Sequence, residues 1–147
     1  WSEITLMDYQ AKSKKITLSL LTSPEYQNSR SIHIYNSLKS EPDTQYIINH
    51  AKKSSRDIYY PEKDPYYNKL TIDIAIIPGT LFDCHMTRHG RGGGYYDKFL
   101  AITNCTKIGL SFYTNIRDTI ERKPHDIPMD IIITERGIIR PRYRPLY

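Results

Sequence analysis

The stretch that decides the fold is DIAIIPGTLFDCHMTRHGRGGGYYDKFLAI, residues 73–102. The predicted strand at residues 73–77 contains a continuous apolar run, residues 74–77, typical of strands that are buried on both faces of a parallel sheet. Pro78 and Gly79 end this run. Four of the seven glycines in the chain then follow within RHGRGGGYYD, residues 88–97. A buried strand therefore leads into a glycine-rich loop, and the apolar pattern after the loop predicts a helix.

The rest of the chain alternates short apolar strands with helices. Pro24 ends the first predicted helix, because proline lacks the N–H donor and disfavours helix in the residue before it. Helices are predicted over residues 9–21, 43–54 and 95–102. Strands are predicted at residues 31–35, 57–61, 73–77, 107–113 and 130–134. Connections are predicted at residues 62–70 and 80–94, a short helix or turn at 115–120, and an extended tail at 140–147. This alternation predicts one α/β domain, residues 1–147, with a mostly parallel sheet.

The helix after residue 43 has a cap and an apolar face. Asp43 or Thr44 can cap its first turn, since both side chains accept hydrogen bonds from free backbone N–H groups. Helical spacing then predicts that Tyr46, Ile47 and His50 share one face.

Composition excludes several classes of protein. With 39% apolar and 25% charged residues, the chain is of the soluble globular class. No apolar run approaches the roughly 20 residues that a membrane span needs, and no secretory signal is visible. Cys84 and Cys105 lack CxxC spacing, which favours a reduced, cytoplasmic protein and leaves a mitochondrial location open. The net charge of +5 favours anionic partners, although a generally basic surface would carry the same charge.

The glycine loop is suited to phosphate. Glycines at residues 90–94 permit positive φ, so that successive backbone N–H groups can converge on phosphate oxygens at the start of a helix. Arg88 and Arg91 flank the loop and can donate forked hydrogen bonds to phosphate. The loop is neither a Walker A motif nor a GxGxxG fingerprint. A flexible surface turn that binds nothing is the alternative.

Several blocks of sequence resemble one enzyme family. PGTLFD (78–83) and RHGRGGGYYD (88–97) resemble the P-G-x-x-F-D and R-x-G-x-G-x-G-Y-Y-D signature of the 5-formyltetrahydrofolate cyclo-ligases, or methenyltetrahydrofolate synthetases. Further blocks resemble the family in the same order: SPEY (23–26) with EPDT (41–44), KIGLSF (107–112), and PHDIPMD (124–130) with ITE (133–135). Because the motif is long and the blocks agree in order, the resemblance is specific.

The resemblance implies a three-layer α/β/α fold, ATP on the glycine loop and magnesium beside it. The family reaction is the ATP-driven cyclisation of 5-formyltetrahydrofolate to 5,10-methenyltetrahydrofolate. By resemblance, the ATP-binding residues are Arg88, Gly90, Arg91, Gly92, Gly93, Gly94, Tyr95 and Tyr96. The implied folate-binding residues are Asn36, Glu41, Gly93 and Tyr95. The implied magnesium ligands are Asp97 and Asp126, and the implied catalytic residues are Arg91 and Tyr95.

Each of these side chains also has a simpler interpretation. Asp97 could interact only with the helix N-terminus, Asp126 could cap a turn, and Glu41 could be a solvated loop acid. Tyr95 and Tyr96 are adjacent and cannot share a helix face. We therefore expect one ring to pack on the core and the other to face the site.

The sequence departs from the family pattern in three places. The family's first helix, with basic residues of the K-x-x-x-R type, is expected to be either absent from the protein or omitted from the chain as given. A family segment is expected to be missing between Pro61 and Ile72. Pro42 and His89 replace other residue types of the family pattern.

These departures leave two competing hypotheses. One is a catalytically reduced homologue that binds nucleotide or folate without turnover. The other is a basic RNA-binding module that uses the Gly/Arg/Tyr loop. The loop's place between a buried strand and a helix favours the ligase. We therefore predict a monomer that acts on small molecules, with neither nucleic acid nor membrane as a partner.

Overall fold

The computed structural model of this chain describes residues 3–61, 71–92 and 94–141. The helices are α1 (Glu3–Thr22), α2 (Pro24–Gln27), α3 (Gln45–Lys53) and α4 (Tyr95–Ile102). The strands are β1 (Ser31–His33), β2 (Asp57–Tyr59), β3 (Ile74–Ile77), β4 (Leu81–Asp83), β5 (Arg88–His89), β6 (Thr106–Leu110), β7 (Ile116–Arg117), β8 (Ile131–Thr134) and β9 (Gly137–Ile139). Within these ranges, no helix has the length and apolar character of a membrane span.

The main sheet has six strands in the order β2-β1-β3-β6-β8-β9. The first five strands run parallel to their neighbours, and β9 returns antiparallel to β8. The prediction of a mostly parallel sheet is confirmed. All four residues of β3 are buried at the centre of the sheet, which explains their continuous apolar run. The predicted strands are present, but β1 and β2 end two residues earlier than predicted because the chain leaves the sheet there.

Two apolar cores cover the two faces of this sheet. On one face, side chains of α1 and α3 such as Ile16 and Ile47 pack against Ile76 and Ile108 of the strands. On the other face, Phe99 and Leu100 of α4 pack against a second set of strand residues. Helices therefore lie on both sides of the sheet, which confirms the predicted α/β/α layers.

A second, three-stranded sheet in the order β5-β4-β7 lies beside the main one. Its hairpin of β4 and β5, residues 81–89, falls in the stretch predicted as a loop, and that prediction is wrong there. Strands of two or three residues are too short for their alternation to be visible in a sequence. Residues 113–117 likewise form a 3-10 turn followed by β7. As a result, the crossover from β6 to β8 contains no α-helix, and residues 118–126 follow an irregular path that we call the wall segment.

The first helix begins at Glu3 rather than at residue 9 and ends before Pro24, as predicted. Pro24 then opens the short helix α2, where a missing N–H costs nothing. Ser23 caps this helix, because its Oγ accepts a hydrogen bond from the N–H of Tyr26 at 3.2 Å.

The predicted face of α3 is wrong. Ile47, Ile48 and Ala51 form its buried stripe, whereas Tyr46 is 66% exposed and His50 also faces solvent. The i, i+4 pair at 46 and 50 lies beside the stripe rather than on it. Of the predicted face, Ile47 is buried in the core, and His50 contacts the core through its Nδ1, 2.7 Å from the hydroxyl of Tyr26. The connection predicted at residues 62–70 and most of the predicted tail lie outside the described residues.

Candidate active site

A cleft of about 570 Å³ opens at the carboxyl end of β3. Pro78 and Gly79, which end β3, form its floor with the hairpin of β4 and β5. The glycine loop and the first turn of α4 form one side, and the wall segment forms the other. Ligands of parallel α/β sheets bind outside the carboxyl ends of the strands, and this cleft has that position.

Arg88 brings a buried positive charge to the cleft. Its side chain is only 7% exposed. Its Nε donates to the backbone oxygen of Pro78 at 2.6 Å, and its guanidinium lies 5.2 Å from the ring centre of Tyr96. Burial lowers the pKa of Arg88, although Asp97, Tyr96 and Asp126 act in the opposite direction. Since guanidinium stays charged even so, the cleft holds a desolvated cation that an anion would stabilise.

The donors of Arg88 are not used up within the protein. Asp97 Oδ1 lies 3.8 Å from Nη1, beyond hydrogen-bond length, and the Asp97 side chain is 60% exposed. Among the described residues, no hydrogen bond is made by either terminal nitrogen of Arg88. Both terminal nitrogens can therefore donate to a ligand.

The glycine loop needs glycine at specific positions. Gly92 and Gly94 have φ of 92° and 76°, the left-handed region that side chains rarely adopt. Gly94 is the N-cap of α4, and no side chain caps this helix end. Gly90 is required for a different reason: a Cβ there would lie 2.6 Å from Nη2 of Arg88. Glycine thus leaves room for the guanidinium and leaves the first N–H groups of α4 without a side-chain cap.

Arg91 joins the glycine loop to the connection between β1 and α3. Its Nη2 donates to Ser40 Oγ at 2.8 Å, and its Nε lies 4.0 Å from Glu41 Oε2. Glu41 is buried, and its other oxygen accepts from the N–H of Leu38 at 2.8 Å. The interpretation of Glu41 as a solvated loop acid is therefore wrong. A buried carboxylate and an exposed guanidinium stand side by side at this end of the cleft.

Two further carboxylates line the cleft. Asp97 lies on α4, and Asp126 lies at the end of the wall segment. Asp126 Oδ2 accepts from the N–H of Lys123 at 2.9 Å, so it also closes a turn, and its Oδ1 lies 3.7 Å from His125 Nε2. Across the described parts of the chain, no cluster of three or more potential metal ligands is present. Two carboxylates suit a hard cation whose remaining ligands are phosphate or water oxygens.

Tyr95 and Tyr96 both line the cleft, and both also pack against the core below α4. Their rings meet edge to face at 4.9 Å, with the ring of Phe99 stacked 4.4 Å from buried His33. The expectation that only one tyrosine faces the site is therefore wrong. In the first turn of a helix, both long side chains can reach the open end, so adjacency does not separate them.

The sequence model of the 5-formyltetrahydrofolate cyclo-ligase family matches residues 62–135, which is half of the chain. The chain belongs to the 5-formyltetrahydrofolate cyclo-ligase family.

Relatives of this cyclo-ligase homologue align with most of its length. The mouse 5-formyltetrahydrofolate cyclo-ligase is 27% identical over 169 residues, covering 84% of this chain and 82% of that protein. A probable cyclo-ligase of Caenorhabditis elegans is 22% identical over 177 residues, covering 90% and 86%. The structure of Aquifex aeolicus 5,10-methenyltetrahydrofolate synthetase superposes with a TM-score of 0.85 at 24% identity, covering 100% and 89%. The cyclo-ligase fold expected from the sequence is confirmed.

Most of the residues predicted for a cyclo-ligase site converge on the cleft. The lining includes Glu41, Arg88, Gly90, Arg91, Gly92, Gly94, Tyr95, Tyr96, Asp97 and Asp126. Asn36 is exposed and is not among the lining side chains, and Gly93 lies outside the described residues. The roles in binding and catalysis given to all of these residues stay predictions.

Sequence reasoning gave no role to the residues that join the hairpin at the floor of the cleft to the wall segment. Asp83 is 1% exposed, and its Oδ1 accepts from the N–H groups of His85 and Thr87, both at 2.9 Å. Its Oδ2 accepts from the N–H of Ile120 at 2.9 Å. Burial raises the pKa of Asp83, but these backbone donors outweigh burial, so the pKa lies below its usual value. The motif PGTLFD contained this aspartate but gave no sign of its partners.

Other contacts tie the wall segment to the hairpin. Arg122 donates from Nε to Thr87 Oγ1 at 3.0 Å and from Nη2 to the oxygen of His85 at 2.5 Å. His89 Nε2 lies 2.6 Å from the oxygen of Glu121 and donates to it. Lys123, which also had no predicted role, lines the cleft and adds a positive charge.

Proposed function

We propose that the cleft binds ATP and 5-formyltetrahydrofolate and converts them to 5,10-methenyltetrahydrofolate, ADP and phosphate. The observation that carries the proposal is the buried guanidinium of Arg88 beside a glycine loop that opens a helix. A buried guanidinium whose two terminal nitrogens make no hydrogen bond within the described residues is costly unless a ligand of opposite charge compensates it. A polyphosphate has that charge.

In this reaction the negative charge is carried by the phosphate groups, and the cleft has hydrogen-bond donors that can bind them. The N5-formyl oxygen attacks the γ-phosphorus, the bond between γ-phosphorus and the bridging oxygen breaks, and ADP leaves. N10 then attacks the formyl carbon and loses its proton, and the carbon–oxygen bond breaks to release phosphate. Transfer of a phosphoryl group depends mainly on positioning and on neutralised charge. Arg88 and the N–H groups of the glycine loop would meet the phosphates.

Arg91 and Glu41 mark the end of the cleft where the folate would lie. The buried carboxylate of Glu41 has lone pairs that Leu38 does not use, and these can accept N–H groups of the pterin ring. Arg91, which is held next to Glu41 and Ser40, would orient the formyl oxygen toward the phosphates and would itself contact the γ-phosphate. Tyr95 lines the same cleft from the first turn of α4 and would line the path of transfer.

Asp97 and Asp126 would hold magnesium in this proposal. When bound, the ion would supply positive charge to the β- and γ-phosphates. Asp97 and Asp126 both act to raise the pKa of Arg88, so they lie close enough to interact with its charge. Magnesium and the Arg88 guanidinium would therefore contact the same phosphate groups.

The test is a comparison of turnover and binding. Purified protein is mixed with Mg·ATP and 5-formyltetrahydrofolate, and formation of the methenyl product is followed by its absorbance together with ADP release. Thermal stabilisation by each ligand alone, and by single-stranded RNA, is measured in parallel. Coupled formation of product and ADP supports the ligase. Binding of both ligands without product would favour a reduced homologue, and stabilisation by RNA alone would contradict the proposal.

We further propose that the protein works as a monomer in the cytoplasm. Both cysteines in the described residues are free, which agrees with a reducing compartment. Sedimentation of the purified protein would test the monomer.

A further inference from the structure

We propose that Asp83 is a positioning residue for the nucleotide: through its two oxygens it fixes the hairpin and the wall segment in the spacing that the phosphates require. This inference rests on the proposed function of the cleft. Asp83 itself does not line the cleft, so it would act through the residues that do.

The two oxygens of Asp83 serve two different pieces of the chain. Oδ1 binds the turn of the hairpin through His85 and Thr87, and Oδ2 binds the wall segment through Ile120. The hairpin then continues into Arg88, and the wall segment continues to Asp126. One buried carboxylate therefore sets the distance between a phosphate-binding cation and a proposed metal ligand.

The strand β4 of the hairpin pairs with β7 as far as Arg117, but beyond Arg117 no regular structure fixes the distance between the wall segment and the hairpin. The strands of the hairpin have three and two residues, and the wall segment has no helix. Side-chain bonds replace that structure, since Arg122 and His89 join the same two pieces. All of these contacts lie on the side of the hairpin that faces the wall segment.

Asp83→Asn separates the two functions of the carboxylate. The amide oxygen can still accept from His85 and Thr87, but the amide nitrogen would then face the N–H of Ile120, donor against donor. The hairpin turn is kept while its link to the wall segment is lost. We expect affinity for Mg·ATP to fall by about tenfold or more, because a charged contact to phosphate depends on placement within a fraction of an ångström. Affinity for 5-formyltetrahydrofolate measured alone should change less than about twofold.

A second carboxylate provides a matched control. Asp73 Oδ2 accepts from the backbone N–H groups of Arg30 at 2.6 Å and Ser31 at 3.1 Å, at the opposite end of the main sheet. Asp73→Ala removes bonds of the same chemical kind far from the cleft. We expect this variant to lose thermal stability without losing affinity for Mg·ATP.

Arg122 allows the same test in a milder variant, should Asp83→Asn fail to fold. Arg122 does not line the cleft, and Arg122→Ala removes two bonds between the wall segment and the hairpin. Arg117→Ala is its control, since Arg117 is an exposed cation whose side chain donates to the oxygens of Thr114 and Ile116, close to it in the chain. A selective loss of Mg·ATP affinity in Arg122→Ala, with Arg117→Ala unchanged, supports the proposal.

The experiment is calorimetric titration of each variant with Mg·ATP and, separately, with 5-formyltetrahydrofolate. If the unaltered protein binds neither ligand, the proposed function fails and this inference falls with it. If the unaltered protein binds Mg·ATP and Asp83→Asn or Arg122→Ala binds it equally well, only the positioning role is overturned. An equal loss of affinity for both ligands would also overturn it, because that pattern indicates general damage to the fold.

Discussion

Replacing Gly90 with alanine should displace the guanidinium of Arg88 without disturbing the backbone. The φ of Gly90 lies outside the left-handed region, so alanine can adopt its conformation. The new Cβ would meet Nη2 of Arg88 at 2.6 Å and Cζ at 3.1 Å, and the guanidinium must move by ~1 Å to restore normal contact. The bond from Nε to the oxygen of Pro78 opposes that movement.

The magnitude follows from what a displaced guanidinium loses. One charge-assisted hydrogen bond to phosphate contributes about 1.5–3 kcal/mol, so affinity for Mg·ATP should fall roughly ten- to a hundredfold. Stability without ligand should change little, because alanine reduces the entropy of the unfolded chain by about 0.4–1 kcal/mol and so offsets part of the strain. Titration calorimetry with Mg·ATP and thermal melting measure the two quantities.

A double-mutant cycle with Arg88→Ala decides whether Gly90 acts through Arg88. If it does, Gly90→Ala should cost almost nothing more once Arg88 is already alanine. Additive losses in the double variant would refute this reasoning, since Gly90 would then affect ATP by a route that does not involve the guanidinium.

Three further predictions concern Arg91, Asp126 and Glu25. Arg91→Ala should weaken Mg·ATP binding by roughly ten- to a hundredfold, and unchanged affinity in the same titration would remove Arg91 from the phosphate site. Asp126→Asn should greatly lower turnover, with partial rescue by excess magnesium and little change in melting temperature, whereas a wild-type dependence on magnesium would leave Asp126 with the turn alone. Glu25 is hydrogen-bonded by Arg140 at 2.6 and 3.1 Å, and these bonds lower its pKa from the ordinary 4.5. The folded state therefore binds this proton less readily than the unfolded state, so the pair stabilises the fold above about pH 4.5 and its contribution is lost as pH falls. Because Arg140 is 47% exposed, the contribution should be at most ~1 kcal/mol. Glu25→Gln should accordingly lower the melting temperature more at pH 7 than at pH 3, and equal losses at both pH values would show that the charge is irrelevant.

The parts of the fold that the sequence predicted are those with strong local patterns. The strand β3 was predictable because it is continuously apolar, and the helix α4 was predictable from the apolar pattern that follows the glycine loop. The hairpin of β4 and β5 was not, because strands this short are held by bonds of the Asp83 carboxylate to His85, Thr87 and Ile120 rather than by their own propensity.

The candidate site was predictable where the residue types of one short motif indicate a ligand by themselves. Glycines and arginines in one loop predict phosphate binding, and Arg88 and Arg91 do line the cleft. The contact between Arg91 and Glu41 joins positions far apart in sequence, so no local pattern could reveal it. The prediction that only one of Tyr95 and Tyr96 faces the cleft was wrong. Adjacent residues point to different faces in the middle of a helix, but in its first turn both side chains can reach the open end.

The irregular crossover between β6 and β8 has a consequence for how the cleft opens. An irregular segment held by a few side-chain bonds has a lower free energy of local unfolding than the strands on either side of it. Its amide hydrogens, that of Ile120 among them, should exchange with solvent sooner than those of β6 and β8. Local unfolding of the wall segment would widen the cleft on that side. A ligand that bridges the wall segment and the glycine loop should slow this exchange, and the degree of slowing would report its affinity.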